Sequence, residues 1–336
     1  MNPPRRMKAA VYTRYGPPEV VRIEEVETPT PSDHELLIKV HATTVNRTDC
    51  GYRSGKPFLI RLFSGWVKPK ATILGTEYAG VVEAVGSEVT RFSVGDRVCG
   101  YCEGTFGAHA EYMTIVDHRL IAIIPKDRTF EQAAPSTEGS HYALGLMRAA
   151  GMKEGDDIEV YGATGAIGSA AVQIAKSLGL RVTAVCGTAN VDLVKGIGAD
   201  KVVDYQTTDF TMDERRYDLV LDAVGKSSFR RCRRLLKAKG IYTRTDFGRV
   251  ARMAPFIIPA FAGMMLMGLV TRLLGGRRIM FVFPRPDPEG VRILTELIES
   301  GEFKPVIDRT YPLEEIAEAY RYVETGQKIG NVVIRV

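Results

Sequence analysis

The sequence predicts an α/β protein in which a doubly wound parallel sheet is inserted into a smaller, turn-rich β domain. Three observations predict it. Strands alternate with helices from residue 131 onward, as parallel sheets with right-handed crossovers require. A glycine-rich turn, Gly162-Ala163-Thr164-Gly165-Ala166-Ile167-Gly168, falls between a strand and a helix. Short strands punctuated by glycine precede residue 130, and β character returns at the end of the chain. A chain of 336 residues is long enough for two cores. The expected division is 7–130 completed by 304–336, with 131–303 inserted.

The elements follow in order. Lys8 to Tyr12 alternates as an opening strand before the Gly16-Pro17-Pro18 turn. Glu35 to Ala42 has strand composition, and Tyr78 to Val85, Arg97 to Cys99 and His109 to Val116 read as further short strands. Apolar spacing turns helical over Glu131 to Ala150, which Gly151 ends. Strands are expected at Asp157–Tyr161, Arg181–Cys186, Lys201–Val203, Tyr217–Asp222 and Ile241–Thr245. Helices are expected at Ala166–Leu178, Asn190–Ile197 and Ser227–Leu236. Arg278–Phe283 reads as one more strand, Glu289–Ser300 and Leu313–Glu324 as amphipathic helices, and Asn331–Val336 as a closing strand.

Composition is that of an ordinary soluble protein, with 45% hydrophobic and 25% charged residues and a net charge of +5. Its basic residues are dispersed apart from a cluster at Arg230, Arg231, Arg233, Arg234 and Lys237, and no nucleic-acid motif accompanies them. Five cysteines in no regular framework fit a reducing compartment, the cytoplasm. The short basic leader lacks the apolar stretch of a secretory signal. The uncharged run MAPFIIPAFAGMMLMGLVT (253–271) is about long enough to span a bilayer, yet it contains Pro255 and Pro259. Broken helices over a pocket or subunit interface, a weak peripheral membrane contact through 253–274, and a true span are all open readings. No Ser-His-acid constellation with a nucleophile elbow is present.

Glycines in the 162–168 turn permit a tight bend and close approach of the backbone to a pyrophosphate, and the helix start presents unpaired N–H groups to it. With a strand before and a helix after, the turn is a dinucleotide site. It has no P-loop lysine, which disfavours ATP. NAD-binding chains commonly place a carboxylate after the second strand. Here Cys186 is followed by Gly187, Thr188, Ala189 and Asn190, with no acid before Asp192. This favours NADPH over NADH, although Ala189 and Val191 supply no positive charge for a 2′-phosphate.

With these motifs in hand, the chain resembles the medium-chain dehydrogenase/reductase superfamily, in its zinc-independent quinone oxidoreductase or ζ-crystallin-like branch. GTEYAGVVEAVGSEVTRFSVGDRVCG (75–100) is the most specific stretch, supported by VNRTDCGYRSG (45–55), the 162–168 turn, GADKVVDY (198–205) and LDAVG (221–225). The resemblance covers nearly all of 7–336. It implies a chaperonin-10-like, partly open β-barrel catalytic domain beside a Rossmann sheet, and a homodimer in which the Arg277–Phe283 strand pairs with its counterpart. It implies that Asn46 approaches nicotinamide and substrate, Thr137 flanks the nicotinamide, and Gly165 to Ile167 hold the pyrophosphate within the cofactor-binding Gly162, Ala163, Thr164, Gly165, Ala166, Ile167, Gly168 turn. Cys186, Thr188, Asn190 and Tyr205 would surround the adenosine phosphate, Ala223 and Val224 the ribose or nicotinamide side, and Lys328, Gly330 and Asn331 would close over the cofactor. The alternative readings are a loop cap for Asn46 and a packed aromatic for Tyr205. Tyr52 is the candidate for orienting or protonating substrate, or is a packed loop residue; Arg47 and Asp49 secure the loop.

Zinc-dependent relatives carry cysteine where this chain has Asn46 and histidine where it has Thr76, and a later cysteine is missing near Thr137 or Glu138. Glu77 alone does not make the usual nitrogen- and sulfur-rich site, so no zinc is expected. Without a Lewis acid, a small apolar quinone or activated enone is the expected hydride acceptor. An alcohol dehydrogenase and a non-catalytic NADPH sensor or scaffold are the alternatives.

Overall fold

A computed structural model describes residues 5–102, 104–245, 263, 266, 268–271, 276–281 and 287–336. In chain order the first elements are β1 (Arg6–Val11), β2 (Arg22–Glu27), β3 (Glu35–Val45), α1 (Arg47–Ser54), α2 (Arg61–Ser64), β4 (Glu77–Val85), β5 (Arg97–Tyr101), β6 (Tyr112–Val116), β7 (Ile121–Ile123), α3 (Phe130–Ala133) and α4 (Glu138–Ala150). There follow β8 (Asp157–Tyr161), α5 (Ala166–Ser177), β9 (Arg181–Cys186), α6 (Val191–Gly196), β10 (Lys201–Asp204), β11 (Tyr217–Asp222), α7 (Phe229–Cys232), β12 (Leu236–Arg244) and β13 (Arg278–Met280). The chain ends with α8 (Pro288–Glu299), β14 (Ile307–Pro312), α9 (Ile316–Glu324) and β15 (Asn331–Arg335).

Two compact units result, Met1–Glu138 with Pro286–Val336, and Gly139–Arg285. Helix α8 belongs to the first unit because it packs on β7: Ile298 joins Ala122 and Ile124 in one apolar cluster, and the Ile123 amide donates to Glu299 Oε1 at 2.9 Å.

In the first unit β3 is the hub. Its Glu35–Lys39 half pairs with β6 and its Ala42–Val45 end with β15, while β4 runs along its other edge. The sheet runs β14-β15-β3-β4-β5-β7, so the C-terminal strand lies inside a sheet begun by the N-terminal ones. Two register shifts along the β3–β4 pair bend the ladder, as bulges do. The site-bearing end of β3 passes into α1 through a reciprocal cap: Asn46 Oδ1 accepts from the Asp49 amide (2.9 Å), and Asp49 Oδ2 from the Asn46 amide (3.1 Å). Buried Arg53 then ties α1 to Gly16 O and to Glu324 of α9.

In the second unit the parallel sheet has the order β10-β9-β8-β11-β12-β13 among the described residues, with order reversing beside β8. Strands β9 and β11 are near-continuous apolar runs, as expected where both faces are covered. Helix α5 presents Ala170, Ala171, Ile174 and Ala175 as its buried side.

The expected helix over 131–150 is two helices, since Pro135 lacks an amide and sits at ψ 17° in the turn between α3 and α4. His109 and Ala110 precede strand β6, and Ala110 contributes only an isolated bridge to Ala9. The helix expected over 227–236 stops at Leu235, and Leu236 already belongs to β12. The 253–274 segment lies mostly outside the described residues, as do 282 and 283 of the Arg278–Phe283 strand. No helix among the described residues is long and apolar enough to cross a membrane.

Candidate functional site

In the second unit the glycine turn is set by backbone approach. Gly162 adopts φ +85°, and a Cβ there would lie 2.1 Å from Val224 Cγ2. A Cβ on Gly168 would lie 2.1 Å from Gly162 O, so α5 crosses the turn too closely for any side chain. Gly165 is the N-cap of α5 and supplies no capping side chain. Its virtual Cβ meets only Gly162 O, at 3.7 Å. The first amides of a 12-residue helix therefore face an open approach at its positive end, which fits a pyrophosphate. Ala163 is buried, and its amide donates to Val185 O (3.2 Å), tying the turn to the end of β9. Thr164, Ala166 and Ile167 are partly accessible at the turn's outer side.

Around the end of β9, Cys186 is buried while Thr188 and Ala189 are exposed. Tyr205 is exposed, stands edge-on to Tyr161 at 6.5 Å, and places its hydroxyl beside Gly187. Asn190 is half-buried, and its amide closes a turn onto Gly187 O (2.9 Å). Thr188, Asn190 and Tyr205 thus gather at the ends of β9 and β10. The structure adds an acid there that the 187–191 string does not contain: Asp204 Oδ2 accepts from Thr188 Oγ1 at 2.5 Å. The parallel register sets Asp204 against Cys186, which is what brings it to this edge. Ala223 and Val224 follow β11; the Ala223 amide donates to Tyr161 O, and the buried Asp222 carboxylate accepts from the amides of Val224, Gly225 and Ser227.

In the first unit a buried polar cluster collects where β3, β4 and the start of α4 meet. Glu77 opens β4 with no exposed surface to speak of. Its Oε1 accepts from the amides of Thr137 (3.0 Å) and Glu138 (2.6 Å) and from Thr137 Oγ1 (3.1 Å), and its Oε2 from Thr44 Oγ1 (2.8 Å). Burial still pushes the carboxyl above the usual range, against the pull of those donors. Asn46 Nδ2 donates to Thr76 Oγ1 at 2.6 Å. Thr48 Oγ1 donates to Glu138 Oε1 at 2.8 Å. Half-buried Lys328 donates to Gly330 O; burial draws its ammonium below the ordinary value while Glu138 and Glu77 oppose that. Asn331 is turned back onto Val306 O (3.0 Å). Tyr52 packs on Phe106, ring centroids 4.6 Å apart.

The cap reading of Asn46 is therefore seen directly, together with a contact to Thr76. Asp49 secures the loop by accepting from the Asn46 and Gly75 amides. Thr44, Thr48 and Glu138 are cluster members that the sequence reading passed over; the alternation of β3 next to Glu77 is the signal that could have found Thr44.

A nucleotide-type turn on a doubly wound sheet, carried with a bulged β unit completed by the last strand, β15, is the architecture of two-unit nucleotide-dependent oxidoreductases. Residues 32–126 match the alcohol dehydrogenase GroES-like domain family, and 197–334 match the zinc-binding dehydrogenase family. The chain is 32% identical to the 2-methylene-furan-3-one reductase of Solanum lycopersicum, over 98% of this chain and 79% of that protein. It is 31% identical to a chloroplastic NADPH-dependent alkenal/one oxidoreductase of Arabidopsis thaliana, over 98% and 80%. The quinone oxidoreductase of Coxiella burnetii superposes with a TM-score of 0.81 at 25% identity, covering 99% of this chain and all (100%) of that one. The chain belongs to the medium-chain dehydrogenase/reductase superfamily, in its quinone oxidoreductase branch, and is an oxidoreductase.

Proposed function

We propose that the protein reduces small apolar quinones or activated enones with NADPH and without zinc. The donor set around Asn46 carries this reading. Zinc takes thiolate, imidazole and free carboxylate ligands, whereas this cluster offers an amide bonded to a threonine hydroxyl and a carboxylate already accepting four hydrogen bonds. A reduced nicotinamide dinucleotide, held by its pyrophosphate at the α5 turn, would supply hydride, and a conjugated acceptor delocalises the charge that arrives with it. The chain's own part is holding and aiming. Gly162 to Gly168 take the pyrophosphate, and Cys186, Thr188, Asn190, Tyr205, Ala223 and Val224 take the adenosine side. Asn46, Thr137, Lys328, Gly330 and Asn331 serve the nicotinamide and substrate. Tyr52 orients the acceptor or passes it a proton. Positioning and exclusion of water supply most of the rate.

NADPH is favoured because the 187–191 turn lacks a carboxylate, and a relative is named for it. Asp204 tempers the preference, since it takes the Thr188 hydroxyl hydrogen and adds negative charge. Purified protein mixed with NADPH or NADH and a panel of quinones, alkenals and simple ketones tests the whole reading. Consumption of NADPH with the conjugated acceptors is expected, unchanged after chelation. Tight cofactor binding without turnover on any acceptor would point to a sensor, and metal-dependent alcohol oxidation to a dehydrogenase. Asp204→Asn is expected to tighten NADPH several-fold and leave NADH nearly unchanged.

The protein is also read as a cytoplasmic homodimer, in which β13, an edge strand among the described residues, pairs with a second copy; sedimentation gives the mass. Exposed Leu266, Leu269 and Val270 support a weak membrane contact through 253–274.

A further inference from the structure

The lobe between α1 and β4 carries the most conspicuous apolar surface of the first unit, and the site described above uses none of it. Phe58, Leu62, Phe63, Trp66 and Val67 all point outward, with Phe63, Trp66 and Val67 exposed by 72%, 58% and 83%. Contiguous exposed apolar side chains of this size mark an interaction surface.

The lobe is built rather than loose. The Tyr15 hydroxyl donates to Gly65 O (2.6 Å) and shares a hydrogen bond with buried Ser64 (2.7 Å), which pins the inner side. Arg61 lies over the Tyr15 ring at 4.5 Å and donates to Gly55 O (3.3 Å). Gly65, at φ +120°, lets the backbone turn within 2.1 Å of a would-be Cβ at Lys68 O, and the Lys70 amide closes the bend on Ser64 O (2.8 Å). Phe58 and Trp66 meet edge-on at 4.9 Å on the outer face.

Charge selects the occupant. From Cys50 to Thr76 there is no aspartate or glutamate, while Lys56, Lys68 and Lys70 are exposed at the lobe and Arg61 is half-exposed. An exposed apolar, tryptophan-bearing lobe whose exposed charges are all lysines has the composition that enters the headgroup region of a negatively charged bilayer: rings and aliphatic side chains bury in the interface while lysine ammoniums stay at phosphate level. A protein groove would need no such uniform sign, and a second copy would set lysines against lysines.

We propose that residues 56–70 form a docking surface for anionic lipid bilayers. This stretch of the chain is distinct in sequence from 253–274, and the proposal is independent of the reductase reading, since it concerns where the protein resides.

The sequence contains one tryptophan, Trp66, so its fluorescence reports on the lobe alone. Wild-type protein is titrated with vesicles of equal parts phosphatidylcholine and phosphatidylglycerol, and with phosphatidylcholine alone. Expected with the anionic vesicles are co-sedimentation, a blue shift of Trp66 and quenching by lipids brominated near the headgroup, all reversed by about 0.5 M salt. The triple substitution Lys56→Glu, Lys68→Glu, Lys70→Glu is expected to weaken binding at least a hundredfold, at about a factor of five or more per charge. Phe63→Ser with Val67→Ser is expected to abolish the blue shift; melting temperature and NADPH affinity check that both variants fold. Unchanged Trp66 emission with anionic vesicles overturns the proposal. So does membrane binding that survives these substitutions but is lost in Leu266→Ser with Leu269→Ser. A blue shift that grows with protein concentration in the absence of lipid also overturns it, by assigning the lobe to a second copy.

Discussion

Glu159 sits in the central strand β8 with no exposed surface, and neither carboxylate oxygen has a hydrogen-bond partner among the described residues. Burial, reinforced by Asp213 and only partly offset by Lys201, raises its pKa well above the usual carboxylate value. The folded state therefore keeps this proton to higher pH than the unfolded chain does. Stability is full below the ordinary value of 4.5 and falls as pH rises toward the folded pKa. Glu159→Met is expected to be more stable than wild type by about 2 kcal/mol near pH 8, and to show a smaller decline between about pH 5 and about pH 8 in urea unfolding. A destabilised variant would sink this account. At Asn46 the cap and the contact to Thr76 can be separated. Asn46→Ala should cost about 1 kcal/mol of stability and most of the activity, whereas Asn46→Ser keeps an N-cap oxygen and should restore the melting temperature. If Asn46→Ser also restores kcat, the amide has no part in orienting nicotinamide or substrate. At this scale the sequence was legible where a residue's role rests on its neighbours in the chain. Asn46 and Asp49, three apart, announce a cap. Asp204 and Glu159 were not, because one acts through strand register against Cys186 and the other sits in a DIEVY run whose polar residue looks like ordinary alternation.

The turn into α5 separates two uses of glycine. Gly168→Ala would force its Cβ against Gly162 O, so it is expected to lower stability by about 2 kcal/mol or more and to weaken cofactor binding with it. Gly165→Ala has room, and the extra methyl would lie where the helix amides must meet phosphate. It is expected to leave the melting temperature nearly unchanged and reduce NADPH affinity about tenfold, roughly the worth of one charge-assisted hydrogen bond. Isothermal titration beside thermal melting distinguishes them; equal affinity loss per degree of melting temperature would mean that the turn acts only through stability. Elements with strong periodicity were legible for the same reason that this turn was: α5 and β9 are largely apolar, regular and bounded by glycine, and β8 and β11 are regular strands with glycine following close after them. Among those missed were β2, α1, β7 and β14. RIEEVE and IDRTYP are mostly polar strands that cover little core, IAI is too short to show a period, and α1 depends on its cap and on buried Arg53 more than on an apolar stripe. Pro135 divided a helix that spacing alone ran together.

The chain leaves the first unit, builds the second and returns, and the returning strand does not sit at an edge. β15 is hydrogen-bonded to β14 on one side and to Ala42–Val45 of β3 on the other. Val332, Val333 and Ile334 are essentially without exposed surface. At about 2 kcal/mol per buried aliphatic side chain their burial is worth roughly 6 kcal/mol, comparable with the whole stability of a typical domain at about 5–15 kcal/mol. Removing residues 331–336 would also uncover the Val45 end of β3, from which Asn46 and α1 are hung. The truncated chain is therefore expected to lose the first unit as a whole and not merely its last strand. Trp66 lies in that unit and reports on it, while the parallel sheet takes no strand from 331–336. Limited proteolysis of the truncated protein should leave a resistant fragment from the second unit and degrade the rest, with no cooperative Trp66 transition in a urea titration. Persistence of the wild-type Trp66 transition after truncation would show that β3 and β4 hold the unit without the strand that closes it, and that the division of the first unit between the two ends of the chain carries no cooperativity.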